Sequence, residues 1–297
     1  MGIHLHAGDM RLSLAPEIGG AILSLTYRGI DLLRPVADPR LRAQQGRAVA
    51  AYPLIPYANR IAQGRFICNG QAFQLPRNFA GSPHSIHGNA WMTPWSLMEI
   101  AHTQARLGLA FSPGDAPGWP FAYRAEQIFT LTDDALRIEL LLENRDTASW
   151  PAGLGLHPYI ARSPQTTLRF QADSVFIPGR DELPAQRQAV QGATEFDGAK
   201  LLLGETEIDA CYAGWGGGAT IRMPETGLVL TLTAKPPLDH LQLYTPAGRD
   251  YFGLEPVSNM PDAINRMDEV ADQGLVILRP GDRLKAEMTL GISLPDQ

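Results

Sequence analysis

The chain has 297 residues, 44% of them hydrophobic and 19% charged, and a formal net charge of -6. That composition belongs to a folded globular protein, and without a clustered basic face it excludes a nucleic-acid partner. No run approaches the roughly 20 apolar residues of a membrane-spanning helix, and the start, broken by His4, His6, Asp9 and Arg11, lacks the parts of a signal peptide, so a cytoplasmic protein off the membrane is expected.

Short apolar or alternating runs bounded by turn residues predict strands at 11–14, 21–27, 106–111, 126–131, 136–142, 228–233 and 284–290. In the stretch from Leu136 to Leu140 the apolar side chains fall on one side and the charges on the other, the pattern of a half-buried strand. No segment sustains a helical period over several turns. An all-β sandwich or barrel follows, and because such folds reach this length as one unit, residues 1–297 are expected to form a single domain. Gly216 to Gly218 read as a loop, without the strand and helix context of a dinucleotide site, so no nicotinamide or flavin cofactor is expected. Cys68 and Cys211 are too few and too far apart for a disulfide framework or a cysteine zinc site, and are expected to act as small apolar residues.

Three segments carry polar groups in unusual surroundings. In the first, Asn59 and Arg60 follow a proline-stiffened apolar turn and offer several donors at fixed geometry, which suits a hydroxyl-rich ligand. In the second, His84 and His87 stand between Ser82 and Gly88, and His157 stands between Gly153 and Tyr159, where proline and glycine fix the turn around each ring. Any one of these histidines, taken singly, serves structure as readily as chemistry. In the third, Glu255 ends an apolar run just before Pro256. If buried, its pKa rises and it becomes a better base near neutrality; the alternative is a surface glutamate at a strand end.

In this order the segments resemble the aldose 1-epimerase (galactose mutarotase) family over most of the chain. The resemblance is carried by Asn59-Arg60-Ile61 with Gly64 and Phe66, Ile86-His87-Gly88 with Trp95, Asp115 to Pro120, and Leu156 to Tyr159. It continues through Ile208-Asp209, Leu241 to Thr245, Gly253 to Pro256, and Pro261 to Asn265. What it implies is a large antiparallel β-sandwich, with a sugar lying in a cleft on one sheet. It also implies Glu255 as the base at the anomeric hydroxyl and His157 as the acid at the ring oxygen. His87 would assist there or bind a hydroxyl, while Asn59, Arg60, Asp209 and Gln242 would hold sugar hydroxyls. The chain departs from the family pattern at Asn89, at Ile160 and at Val257-Ser258, around the acid and base but not at them.

Anomer exchange opens the bond between C1 and the ring oxygen, rotates C1 and closes the ring on the other carbonyl face. A positioned base and acid supply this without metal or cofactor, each typically worth about 10²–10⁴ in rate. At ordinary pKa values the glutamate is ionised and a nearby carboxylate keeps the imidazole protonated, so a bell-shaped pH profile is expected. The expected partner is a small sugar, and the expected assembly a monomer or homodimer. Rival readings are a metal site of His84, His87, His157 and Glu255, a glycosidase using Asp209 as second carboxylate, and a non-catalytic sugar-binding protein. A hexose-6-phosphate mutarotase is a further alternative, although Arg77, Arg162 and Arg249, which could meet a phosphate, read as solvated surface charges.

Overall fold

The computed structural model describes residues 2–36, 48–115, 118–202, 204 and 207–294. Among these there is no α-helix, only short 3-10 turns such as Ala62–Gly64 and Ala90–Met92. Every predicted strand falls inside an observed one: 11–14 within Met10–Ala15, 21–27 as Ala21–Tyr27, and 106–111 within Gln104–Phe111. Likewise 126–131 lies within Tyr123–Leu131, 136–142 within Ala135–Asn144, 228–233 within Leu228–Lys235, and 284–290 within Arg283–Ser293.

Two large antiparallel sheets make the sandwich. The nine-stranded sheet runs from Ser96–Ile100 through Gln104–Phe111, Tyr123–Leu131 and Ala135–Asn144 to Arg283–Ser293, then on to Leu228–Lys235, Gly218–Met223, Thr167–Phe170 and Lys200–Leu201. The strand Arg283–Ser293 thus sits at the centre, between Ala135–Asn144 and Leu228–Lys235, which are far apart in the chain. The eight-stranded sheet contains Pro184–Ala189, Ser174–Pro178, Ile208–Ala213, His240–Thr245, Tyr251–Val257, Gly155–Leu156 and Pro53–Leu54, with Tyr159–Ala161 pairing beside them on Tyr251–Val257.

Side chains of successive strand residues point to opposite faces, and this period of two builds both core and site. Phe129, Ile138, Leu140, Ile221, Leu230 and Leu290 from the first sheet join Tyr212, Leu241, Leu243, Phe252 and Leu254 from the second in one contiguous buried cluster. On the second sheet the intervening residues Gln242, Tyr244, Tyr251, Gly253 and Glu255 are therefore left for the opposite face. Register lines them up in rows, with Gln242 opposite Glu255, Tyr244 opposite Gly253, and Cys211 opposite Gln242. Both cysteines are buried and unpaired, as expected for small apolar residues.

Arg162 corrects one sequence expectation. It is buried rather than a solvated surface charge, and its guanidinium donates to the carbonyls of Pro246 and Arg249, tying down the turn that joins the two site strands.

Candidate active site

Glu255 and His157 are brought together by the pairing of Tyr251–Val257 with the segments on either side of His157. The backbone N–H of His157 donates to the carbonyl of Tyr52 and that of Leu254 donates to Pro158, so the loop Leu156 to Tyr159 lies across the strand that carries Glu255. The result is a contact of 3.1 Å between His157 Nε2 and Glu255 Oε1, with both side chains almost wholly buried. His87 closes the group: one polar atom each from His87, His157 and Glu255 falls within 4.8 Å of the others.

His87 is held from an adjoining loop. Its Nδ1 accepts the backbone N–H of Asn59 at 3.0 Å, and its own N–H donates to the Asn59 carbonyl at 2.9 Å. With Nδ1 accepting, a neutral ring carries its proton on Nε2 and offers it as a donor. Asn59 and His87 both lie in the left-handed region, with φ of 61° and 60°, a conformation that costs about 1–3 kcal/mol for a residue with a side chain. Asn259 holds this arrangement in place, since its amide spans Ala58, accepting from the N–H and donating to the carbonyl. Asp262 adds a second clamp by accepting from the N–H of Ala62 while its own N–H donates to the carbonyl of Arg60. The residues after Glu255 therefore lock the loop that faces it.

Gly88 is required beside His87. It has φ of +67°, and a Cβ there would lie 2.0 Å from the carbonyl oxygen of Ile55. Gly88→Ala is expected to cost at least the ~1–2 kcal/mol of a left-handed alanine, with the overlap added, and to displace His87. Calorimetry should show a clearly lowered Tm, and an unchanged Tm would contradict the role given to Gly88.

From the His157 end the cleft runs to a polar chain. Asn59 Nδ2 donates to Gln242 Oε1 at 3.0 Å, and Gln242 Nε2 donates to Asp209. Arg60 Nη2 donates to Asp209 Oδ2 at 3.1 Å while its Nε reaches Glu182 Oε2 at 3.1 Å. The cleft, about 300 Å³ in volume, is lined by all the site residues expected from the sequence: Asn59, Arg60, His87, His157, Asp209, Gln242 and Glu255. His84 is elsewhere in its contacts. Its Nδ1 accepts from Gln63 and its Nε2 pairs with the carbonyl of Asp181, so it is a structural histidine and drops out of the metal set considered above. Of the segment Asp115 to Pro120, Ala116 and Pro117 lie outside the described residues.

The opposite wall was not expected. Tyr52 stacks on His157 with ring centroids 4.7 Å apart, Tyr159 lies 4.3 Å from the same ring, and Arg34 spreads over Tyr159 at 3.8 Å and Tyr251 at 4.5 Å. Tyr251 was within reach of the period-two rule, because it lies four residues before Glu255 on the same strand face. Arg34 had no signal, standing in a stretch without any motif.

Burial governs the charges. It pushes His157 down to about 3, helped by the positive charge of Arg34, and pushes Glu255 well above the usual carboxylate range, with Asp209 adding to the rise and Arg60 opposing it. His87 is held well below the usual imidazole range by burial first, then by His157 and Arg60. Burial thus works against both the ionised carboxylate and the charged imidazole expected from ordinary values, and favours the uncharged form of each.

A model of the aldose 1-epimerase family matches residues 2–291. The chain belongs to the aldose 1-epimerase family. It is 30% identical over 296 residues to the uncharacterized protein YphB of Escherichia coli K12, with 97% of each chain covered. Among solved structures, a candidate aldose 1-epimerase from Escherichia coli K12 superposes with a TM-score of 0.89 at 26% identity, covering 99% of both chains. A galactose mutarotase-like protein from Clostridium acetobutylicum reaches the same TM-score of 0.89 at 16% identity, over 99% of this chain and 95% of its own, a likeness of fold alone. The β-sandwich of this family member accordingly has the architecture of galactose mutarotase-like proteins, and family membership places it among sugar epimerases.

Proposed function

We propose that this protein is a mutarotase that interconverts the α and β anomers of a free aldose, with Glu255 as base and His157 as acid. The observation that carries the reading is the 3.1 Å contact between two buried proton-exchanging groups on the wall of a cleft that also presents a chain of hydroxyl-binding side chains. Between them the pair holds one proton. It rests on Glu255, and the short contact lets it pass to His157 as the sugar enters and Arg60 favours the carboxylate. Glu255 then takes the proton of the anomeric hydroxyl, C1 gains its carbonyl as the bond to the ring oxygen breaks, and His157 gives its proton to that oxygen. After C1 has turned, both transfers run backwards and the pair is restored. His87, neutral, donates from Nε2 to an oxygen of the ring. Asn59, Arg60, Asp209 and Gln242 bind hydroxyls.

A glycosidase needs a second free carboxylate, whereas Asp209 is engaged by Arg60 and Gln242. A phosphorylated substrate gains no support from Arg77, Arg162 or Arg249, none of which lines the cleft. Exchange between anomers, followed by NMR across D-galactose, D-glucose, L-arabinose and D-xylose, is expected to be faster with the protein than in buffer for at least one of them. Binding without acceleration for every sugar would favour the sugar-binding protein instead.

A further inference from the structure

The polar chain of the cleft ends in a carboxylate that the proposed chemistry leaves unused. Across the eight-stranded sheet the strand of Glu255 is followed by that of Gln242, then by that of Asp209, then by the hairpin of Ser174–Pro178 with Pro184–Ala189. Neighbouring strands stand about 4.8 Å apart, so each step leads farther from the proton-exchanging pair. Glu182, on the tip of that hairpin, lines the same cleft at the far end of the series.

The tip is held in place from several sides. The Glu182 N–H donates to the carbonyl of Gly179, whose own N–H donates to the carbonyl of Leu183. His84, buried and without a part in the chemistry, pins the tip from below. Its Nδ1 accepts the N–H of Gln63, so a neutral ring carries its proton on Nε2 and gives it to the Asp181 carbonyl at 2.7 Å, one residue before Glu182. Arg266 donates to the carbonyl of Pro184 on the other side of the hairpin. The exposed Glu182 carboxylate therefore meets Arg60 at a fixed place, and Arg60 stands between it and Asp209 with 3.1 Å contacts to both. Two carboxylates share one guanidinium, which leaves this end of the cleft with an excess of negative charge. Arg34, the other cation lining the cleft, is on the far wall over Tyr159 and Tyr251, while Arg180 of the hairpin tip does not line it.

We propose that Glu182 is a specificity-determining residue at the end of the cleft opposite the reacting carbon, where it accepts a hydroxyl of an uncharged sugar and turns away one that ends in an anionic group. A hydroxyl brings the proton that a carboxylate can accept, whereas a phosphate dianion brings acceptors only. It would also set its charge beside two carboxylates with one cation between them, and a like-charge contact of this kind rejects the wrong partner. This inference rests on the mutarotase reading, which places C1 at Glu255, and adds to it the class of substrate.

The test compares D-galactose and D-glucose with their own 6-phosphates at pH 8, where a phosphate monoester is close to a dianion. For each sugar kcat/KM is measured, or the inhibition constant against the fastest aldose of the panel where the sugar itself is not turned over. Acceleration of no sugar at all would mean that the mutarotase reading had failed; acceleration without the following pattern overturns this inference alone. Wild-type protein is expected to favour each hexose over its 6-phosphate by at least about tenfold. Glu182→Gln should raise KM for the neutral hexose several-fold, with little of the loss in kcat because Glu182 touches none of the reacting atoms, and should cut the discrimination to less than a third. Glu182→Arg should remove the discrimination or reverse it. Both variants change an exposed side chain and should keep the wild-type Tm, so a merely structural role would leave the ratio of neutral to phosphorylated sugar where it was. A wild-type ratio within threefold of unity, or a ratio in either folded variant within threefold of the wild-type value, would overturn the proposal.

Discussion

Glu255→Gln is expected to slow mutarotation by about 10²–10⁴-fold, the usual worth of one general acid or base, and His157→Asn by a similar factor. The two changes should not multiply. One group acts as base only while the other acts as acid, so removing either breaks the cycle and the double variant should be about as slow as each single one. The glutamine keeps the shape of a buried glutamate that burial already favours in its uncharged form, with Oε2 lacking a partner among the described residues. It should therefore leave Tm unchanged or raise it. Polarimetry on a fresh sugar solution measures the rate and calorimetry the stability. A near-normal rate in either single variant ends the assignment, and a slow variant with a collapsed Tm would show only that the protein had unfolded.

The part of this site that was legible in the sequence is the part made by local geometry. Glu255 before a proline, His157 and His87 in glycine- and proline-bracketed turns, and Asn59-Arg60 after a stiffened turn all stand out because a short stretch of chain fixes each of them. Alternation marked the strands for the same reason, and every one of the predicted runs lies inside a strand. What could not be read was made by pairs distant in sequence. Asn259 clamps Ala58 across a separation of 201 residues, and Asp262 reaches Ala62 across 200. Nothing local to Asn259 says so. Arg34 reaches the cleft because its backbone N–H bonds to Tyr159, a pairing set by sheet closure and not by any motif near residue 34. The pull of burial on both charges was not legible for a related cause. Ordinary pKa values describe groups in water, and only the packing of Tyr52 and Tyr159 on His157 shows that water is excluded there.

That charge state leads to the second large effect, the response of rate to pH. The pair is competent only while it holds one proton, because with two there is no base and with none there is no acid. Burial acts on both limits. It holds His157 down to about 3, so the second proton is taken up well below the 6.5 of an ordinary imidazole and the acid limb lies correspondingly low. It holds Glu255 up, so the single proton is kept beyond the usual carboxylate range and the alkaline limb moves upward. The profile of kcat/KM, which reports the free protein, should thus be a bell with a broad flat top and no inflection near 6.5, falling tenfold per pH unit outside it. The same width follows whichever of the two groups holds the proton, because a rate profile counts protons on the pair without locating them. Arg34 gives the location a handle. Arg34 contributes to keeping His157 neutral, so Arg34→Met should move the acid limb upward while leaving the alkaline limb nearly in place. Rates measured from pH 3 to 10 in wild type and this variant decide it. An acid limb at the ordinary histidine value in wild type, or one that Arg34→Met does not shift, would mean that the buried imidazole is not the group that limits the reaction at low pH.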